Sequence, residues 1–148
     1  MSDDLFKKMV LALSPKFFED WQWKEGDVFL HKELGSDFWN EKVIGNHTVS
    51  GNTVMYIVGE YEDVLDGEIR PLPSQKQLQN ICMNLIQCSP QELLRFFEAW
   101  LYEDEIRPVV DFEDFDDLWL KYTVWVWSRQ EWDGEKWAEV KKYQHVQA

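Results

Sequence analysis

Residues 74–103 read SQKQLQNICMNLIQCSPQELLRFFEAWLYE, and they decide how the rest of the chain must be read. Two helix starts stand in this stretch: Ser74 followed by Gln77, and Ser89-Pro90 followed by Glu92. In each pair the serine hydroxyl can accept a backbone N–H three residues on, while the Gln or Glu side chain accepts the serine's own N–H. Behind the first start, Leu78, Ile81, Cys82, Leu85 and Ile86 recur at helical spacing; behind the second, Leu93, Phe96, Phe97, Trp100 and Leu101 do the same. Two helices joined by so short a link lie side by side, so the stretch predicts an α-hairpin with a shared apolar seam, closed by Arg107-Pro108.

Towards the N-terminus, residues 2–13 place Leu5, Phe6, Met9, Val10 and Leu13 on one helical face, interrupted by Ser14-Pro15. Short β-type runs follow at residues 27–31, 41–45, 48–50 and 53–61, with Gly51-Asn52 as a hairpin turn because both residues tolerate positive φ. Asp66-Gly67 and Pro71-Leu72-Pro73 then punctuate the chain. Beyond the α-hairpin, a further helix is expected from about Glu113 to Arg129, with Phe115, Leu118, Trp119, Tyr122 and Val126 on one face. Residues 123–127 alternate β-formers, which leaves a strand open as the other reading there. Trp132-Asp133-Gly134-Glu135-Lys136-Trp137 has the chemistry of a β-hairpin with an Asp-Gly turn. The expectation is one α+β domain over residues 1–148: a small antiparallel sheet packed with about four helices, and a C-terminal β-hairpin able to extend the sheet.

Nine Trp, nine Phe and five Tyr in 148 residues supply ample apolar area for one core without metal or disulfide staples. Net charge is −13, and residues 60–117 hold 15 acids against 4 bases. Such a surface repels phosphate backbones and anionic membranes, so direct nucleic-acid or membrane binding is disfavoured and a basic protein partner is favoured. No run approaches the ~20 apolar residues of a membrane span, and the N-terminus lacks a cleavable signal's small-residue end. The two cysteines, Cys82 and Cys88, fall on different helical turns, poorly aimed at each other, and read as reduced thiols of a cytoplasmic protein.

His31, His47 and His145 stand in no metal-ligand spacing, and no nucleophile elbow, phosphate-cradling glycine loop or Cys-x-x-Cys occurs, so neither a cofactor nor a metal is implied. The carboxylates carry more information. Asp111, Glu113, Asp114, Asp116 and Asp117 open a helix, where the macrodipole favours acids without any function. Glu103, Asp104 and Glu105 end one, where the same dipole disfavours them, so they are either tolerated at a cost or placed for a partner. Trp132 and Trp137 flank a turn, and Trp at alternate strand positions must face both sides, so some Trp are expected at the surface as interface anchors. The candidate partner-binding set is therefore Glu103, Asp104, Glu105, Asp111, Glu113, Asp114, Trp132 and Trp137. A second reading, of another class, is a small metal-dependent hydrolase using the carboxylates of residues 103–117 with His31 or His47.

Two segments carry a resemblance: Leu72-Pro73-Ser74-Gln75-Lys76-Gln77-Leu78-Gln79, and Leu118-Trp119-Leu120 followed after a helix-length gap by Trp132-Asp133-Gly134-Glu135-Lys136-Trp137. They resemble a group of small bacteriophage- and prophage-encoded proteins with a Leu-Pro-x-Gln-x-Gln-Leu-Gln helix start ahead of a Trp-bearing helix and a Trp-Asp-Gly hairpin. The likeness covers the C-terminal half. It implies a phage or prophage accessory protein in a bacterial host cell, and it brings neither a reaction nor a site.

Overall fold

The computed structural model describes residues 3–24, 26–44, 47–50, 53–58, 61–64, 68–103 and 114–139. Both serine start signals close as expected. Gln77 donates its backbone N–H to Ser74 Oγ at 3.2 Å while Ser74 donates to Gln77 Oε1 at 2.9 Å, opening helix α2, Gln75–Ile86. Ser89 and Glu92 exchange the same pair of bonds at 3.1 and 3.2 Å ahead of α3, Pro90–Glu103. The turn between them passes through Gln87, whose φ of 60° places it in the left-handed region that ends many helices. The other α-helices among the described residues are α1, Asp3–Leu11, and α4, Phe115–Ser128; Pro15–Phe18 form a single 3-10 turn.

The chain divides into two compact units, Met1–Leu13 with Ser74–Ala148, and Ser14–Pro73. In the first, helical unit, α2 packs along α4 and α1 also touches α4. Leu78 and Cys82 of α2, Leu93, Phe97 and Trp100 of α3, and Trp119, Leu120, Tyr122 and Val124 of α4 are buried, together with Met9, Val10 and Leu13. Phe97 stacks on Trp119 with ring centres 3.9 Å apart and planes 9° from parallel. Residues 123–127 are helical, which decides between the two readings left open for them. Local β-propensity loses because Asp114 caps the helix, Asp116 and Asp117 favour its first turn, and burial of Leu120, Thr123 and Val124 at i, i+3, i+4 rewards helical spacing.

Strands β7, Gln130–Trp132, and β8, Trp137–Glu139, pair with Trp132 opposite Trp137. They form a two-stranded sheet of their own among the described residues, so the expected option of extending another sheet is not taken. The connection spans Asp133 to Lys136 and is longer than a two-residue Asp-Gly turn. Asp133 Oδ1 accepts the N–H groups of Glu135 at 2.8 Å and Lys136 at 2.9 Å, its own N–H donates to Lys136 O at 3.0 Å, and Gly134 takes φ +108°. Those bonds to the ionised carboxylate hold Asp133 below the usual carboxylate range.

Among its described residues, the second unit holds six strands in two antiparallel three-stranded sheets rather than one. One runs β2-β1-β6, with β1 Val28–Lys32, β2 Asn40–Val43 and β6 Glu68–Leu72. The other runs β3-β4-β5, with β3 His47–Ser50, β4 Thr53–Val58 and β5 Tyr61–Val64. The run at 53–61, read from sequence as one strand, is two, Val58 pairing with Tyr61. Ser50 pairs with Thr53 as the hairpin reading requires, while Gly51 and Asn52 lie outside the described residues, as do Asp66, Gly67, Arg107, Pro108 and His145. Strand β6 was masked in the sequence by Pro71, which has no N–H for a ladder. The fold places Pro71 on an edge strand opposite Phe29, where a missing donor is tolerated. Phe29, Ile44 and Ile69 form a core cluster in this unit, with Trp23 set edge-on to Phe29 at 5.8 Å.

Candidate functional site

In the helical unit a surface cleft of about 260 Å³ opens beside the aromatic seam. Ile86 from the end of α2 closes one end; Phe96, Ala99 and Trp100 form the α3 wall; Tyr122, Trp125, Val126 and Arg129 form the α4 wall. The α3 wall exists because that helix carries apolar residues beyond the stripe it needs. Leu93, Phe97 and Trp100 are buried, whereas Phe96, read from sequence as part of the same stripe, remains 44% exposed. The α4 wall has the same origin: residues 118–127 hold eight apolar or aromatic side chains, more than one buried face accommodates.

The rings in and behind the cleft are locked together. Tyr122 meets Trp100 at 5.2 Å, Phe97 edge-on at 5.4 Å and Trp125 in a stacked pair at 6.3 Å. Arg129 completes the lining on the α4 side. Its guanidinium lies 4.0 Å from the centre of the Trp125 ring and donates to the carbonyls of Trp125 at 2.8 Å and Val126 at 3.3 Å. One side chain thus caps the C-terminus of α4, complements its dipole and presents a cation on an aromatic face.

The groups with reactive chemistry near the seam are held neutral. Burial pushes the Tyr122 phenol up to about 12, helped by the adjacent cysteines. Burial likewise pushes the Cys82 thiol up to about 11, although a hydrogen bond with Thr123 works the other way. Neither is poised to attack an electrophile at neutral pH, since nucleophilic catalysis needs a lowered pKa or an adjacent base. The cleft is equipped to hold a guest by shape, π faces and one guanidinium. Among the described residues, no three His, Cys, Asp or Glu side chains are placed to hold a metal ion.

The residues singled out in the sequence are distributed as follows. Asp104, Glu105, Asp111 and Glu113 lie outside the described residues. Glu103 is the last residue of α3, and Asp114 is the N-cap of α4, its exposed carboxylate accepting the Asp116 N–H at 3.4 Å. Glu92, Phe96, Ala99 and Glu103 recur at i, i+4, i+7 and i+11, so acidic positions bracket the cleft's α3 wall on one helical face. Trp132 and Trp137 meet in a T-shaped pair at 5.3 Å, and Trp137 Nε1 donates to the Met9 carbonyl at 2.9 Å, which ties the hairpin to α1.

Exposed tryptophan was expected, and none of the nine is exposed: Trp100 and Trp119 are buried and the other seven are half-buried. Two reasons apply. Trp125 and Trp127 are helical, so alternation does not send them to opposite faces, and Trp132 and Trp137 cover each other across the β7–β8 pair. His31 lies buried in β1. The sequence reading missed the cleft's Trp125 and Arg129, although the excess of apolar residues in 118–127 was the available signal.

Compared with protein-family models, curated proteins and solved structures, the chain matches none. No helix among the described residues is long and apolar enough to cross a membrane.

Proposed function

We propose that this chain is a non-enzymatic accessory protein of phage or prophage type that acts in the cytoplasm of a bacterial host by binding a basic protein partner. The observation that carries the binding role is the open aromatic cleft between α3 and α4, an apolar recess whose α3 wall is bracketed by acidic positions. Interface anchors are characteristically large side chains seated in such recesses, with charged residues at the rim setting association rate and specificity. The partner's basic character follows from the −13 net charge, which disfavours a second copy of the same chain as strongly as it disfavours nucleic acid. The phage assignment rests on the sequence resemblance, and the reducing compartment is supported by the free thiols of Cys82 and Cys88.

The test is affinity capture from host extract with wild type and with Ala99→Arg, at low and high salt. Ala99 is exposed on α3 and Arg is a good helix former, so the variant should melt with wild type. The new side chain fills the cleft and opposes a basic guest. A partner retained by wild type, lost by Ala99→Arg and weakened by salt is expected; equal retention by both proteins removes the cleft from the function.

A further inference from the structure

We propose that the β1–β2 loop, residues 33–39, is a second docking element, and that it takes an apolar side-chain cluster rimmed by Lys or Arg on a protein partner. The inference rests on the sheet unit alone and does not depend on the cleft of the helical unit. Leu34 and Phe38 are each 76% exposed, the highest values among the large apolar side chains described, and they stand four residues apart in one loop. Single exposed apolar residues need no explanation; two large ones in one seven-residue loop are the kind of concentration that marks interaction sites.

The turn is built to present them. Ser36 donates its N–H to Glu33 O at 3.1 Å, Phe38 donates to Ser36 Oγ at 3.1 Å, and Gly35 supplies φ +80°. That conformation is strained for any other L side chain, so the glycine sets where the loop reverses. Trp39 supports the base of the loop, with Lys32 Nζ 5.9 Å from its ring centre.

Charge selects the occupant. The loop, Lys32 of β1 and Glu68 of β6 line a recess of about 320 Å³, to which Glu33, Asp37 and Glu68 bring exposed carboxylates and Lys32 one ammonium. Arg70 reaches Glu68 at 3.7 Å, which leaves Glu33 and Asp37 against the single charge of Lys32, so the patch is net negative. A second copy of this chain, an anionic membrane or a nucleic acid would each bring negative charge to negative charge. An apolar centre with a basic rim matches both parts of the surface.

The experiment selects peptides from a yeast-displayed random library on the full-length wild-type protein. Each selected peptide is then measured against Leu34→Ser/Phe38→Ser, Glu33→Gln/Asp37→Asn and Ala99→Arg. The expected pool combines Phe, Leu or Trp with Lys or Arg. Its affinity falls roughly thirtyfold or more on the apolar double variant, the weight of one hot-spot side chain. On Glu33→Gln/Asp37→Asn the affinity falls and its salt dependence flattens, while on Ala99→Arg it is unchanged. All four side chains are exposed, so thermal melts should coincide, and the charge variant tests the surface even if the apolar one loses its fold. The proposal is overturned by an empty selection, by peptides without basic enrichment, or by peptides that bind the apolar variant as well as wild type. Concentration-dependent dimerisation, or binding to phosphatidylserine vesicles, that is abolished by Leu34→Ser/Phe38→Ser also overturns it, assigning the loop to another occupant.

Discussion

Thr123 shows how one hydroxyl organises the helical unit. It accepts from the Cys82 thiol at 3.2 Å and donates to the Trp119 carbonyl at 2.6 Å, in a position without solvent exposure. Valine has nearly the same shape and can do neither, so Thr123→Val should cost about 1–2 kcal/mol in denaturant unfolding. Alkaline pH probes the same place. The fold raises the Cys82 pKa from 9.0 to about 11 and so favours the neutral thiol. Below pH 9 the thiol is protonated in both states and this contribution is complete; above it the unfolded chain ionises first. Stability should therefore fall between pH 9 and 11, by about 2–3 kcal/mol from this thiol, with the slope reduced in Cys82→Ala. A melting temperature flat to pH 11 would contradict this burial. At the same scale Cys88, half-buried at the helix link, should react with a thiol reagent ahead of Cys82.

At the scale of elements, helix ends and hairpin partners were legible, and strand partners distant in the chain were not. The reciprocal bonds of Ser74 with Gln77 and of Ser89 with Glu92 are interactions within four residues, so sequence spacing sufficed to place them. Those around Glu92 hold its carboxylate below the usual range. Ser74→Ala should cost about 1 kcal/mol, read as a lowered denaturant midpoint with unchanged slope. At the other end of α2, Gln87 occupies the left-handed region at φ 60°, and Gln87→Gly should stabilise by about 0.5–1 kcal/mol. A loss of stability in that variant would show that the bond from Gln87 Nε2 to Asn84 O, at 2.6 Å, outweighs backbone strain. Strand β6 illustrates the opposite case. Pro71 argues against a strand until one knows that Glu68–Leu72 lies at a sheet edge, and edge position is a property of the assembled sheet.

Across the whole molecule, charge is the property with the furthest reach. If the acidic stretch after α3 steers a basic partner, Glu103→Gln/Asp104→Asn/Glu105→Gln should slow association while stability holds or rises slightly, because carboxylates near a helix C-terminus oppose its dipole. Stopped-flow association at two ionic strengths measures this. The Debye length contracts from about 10 Å at 0.1 M to about 3 Å at 1 M, so wild type should slow with salt more than the triple variant. Equal, salt-insensitive rates would leave these acids as solvated surface. The α+β class, the four helices with the caps of α2 and α3, and the sign of the surface were determined by the sequence itself. Each follows from composition or from contacts within one or two helical turns. Tertiary structure alone decided that residues 123–127 are helical, that the described strands divide into three sheets, and that tryptophan covers tryptophan while Leu34, Phe38 and Phe96 face solvent. Those outcomes depend on which apolar faces find partners far away in the chain, and local spacing cannot rank one distant partner against another.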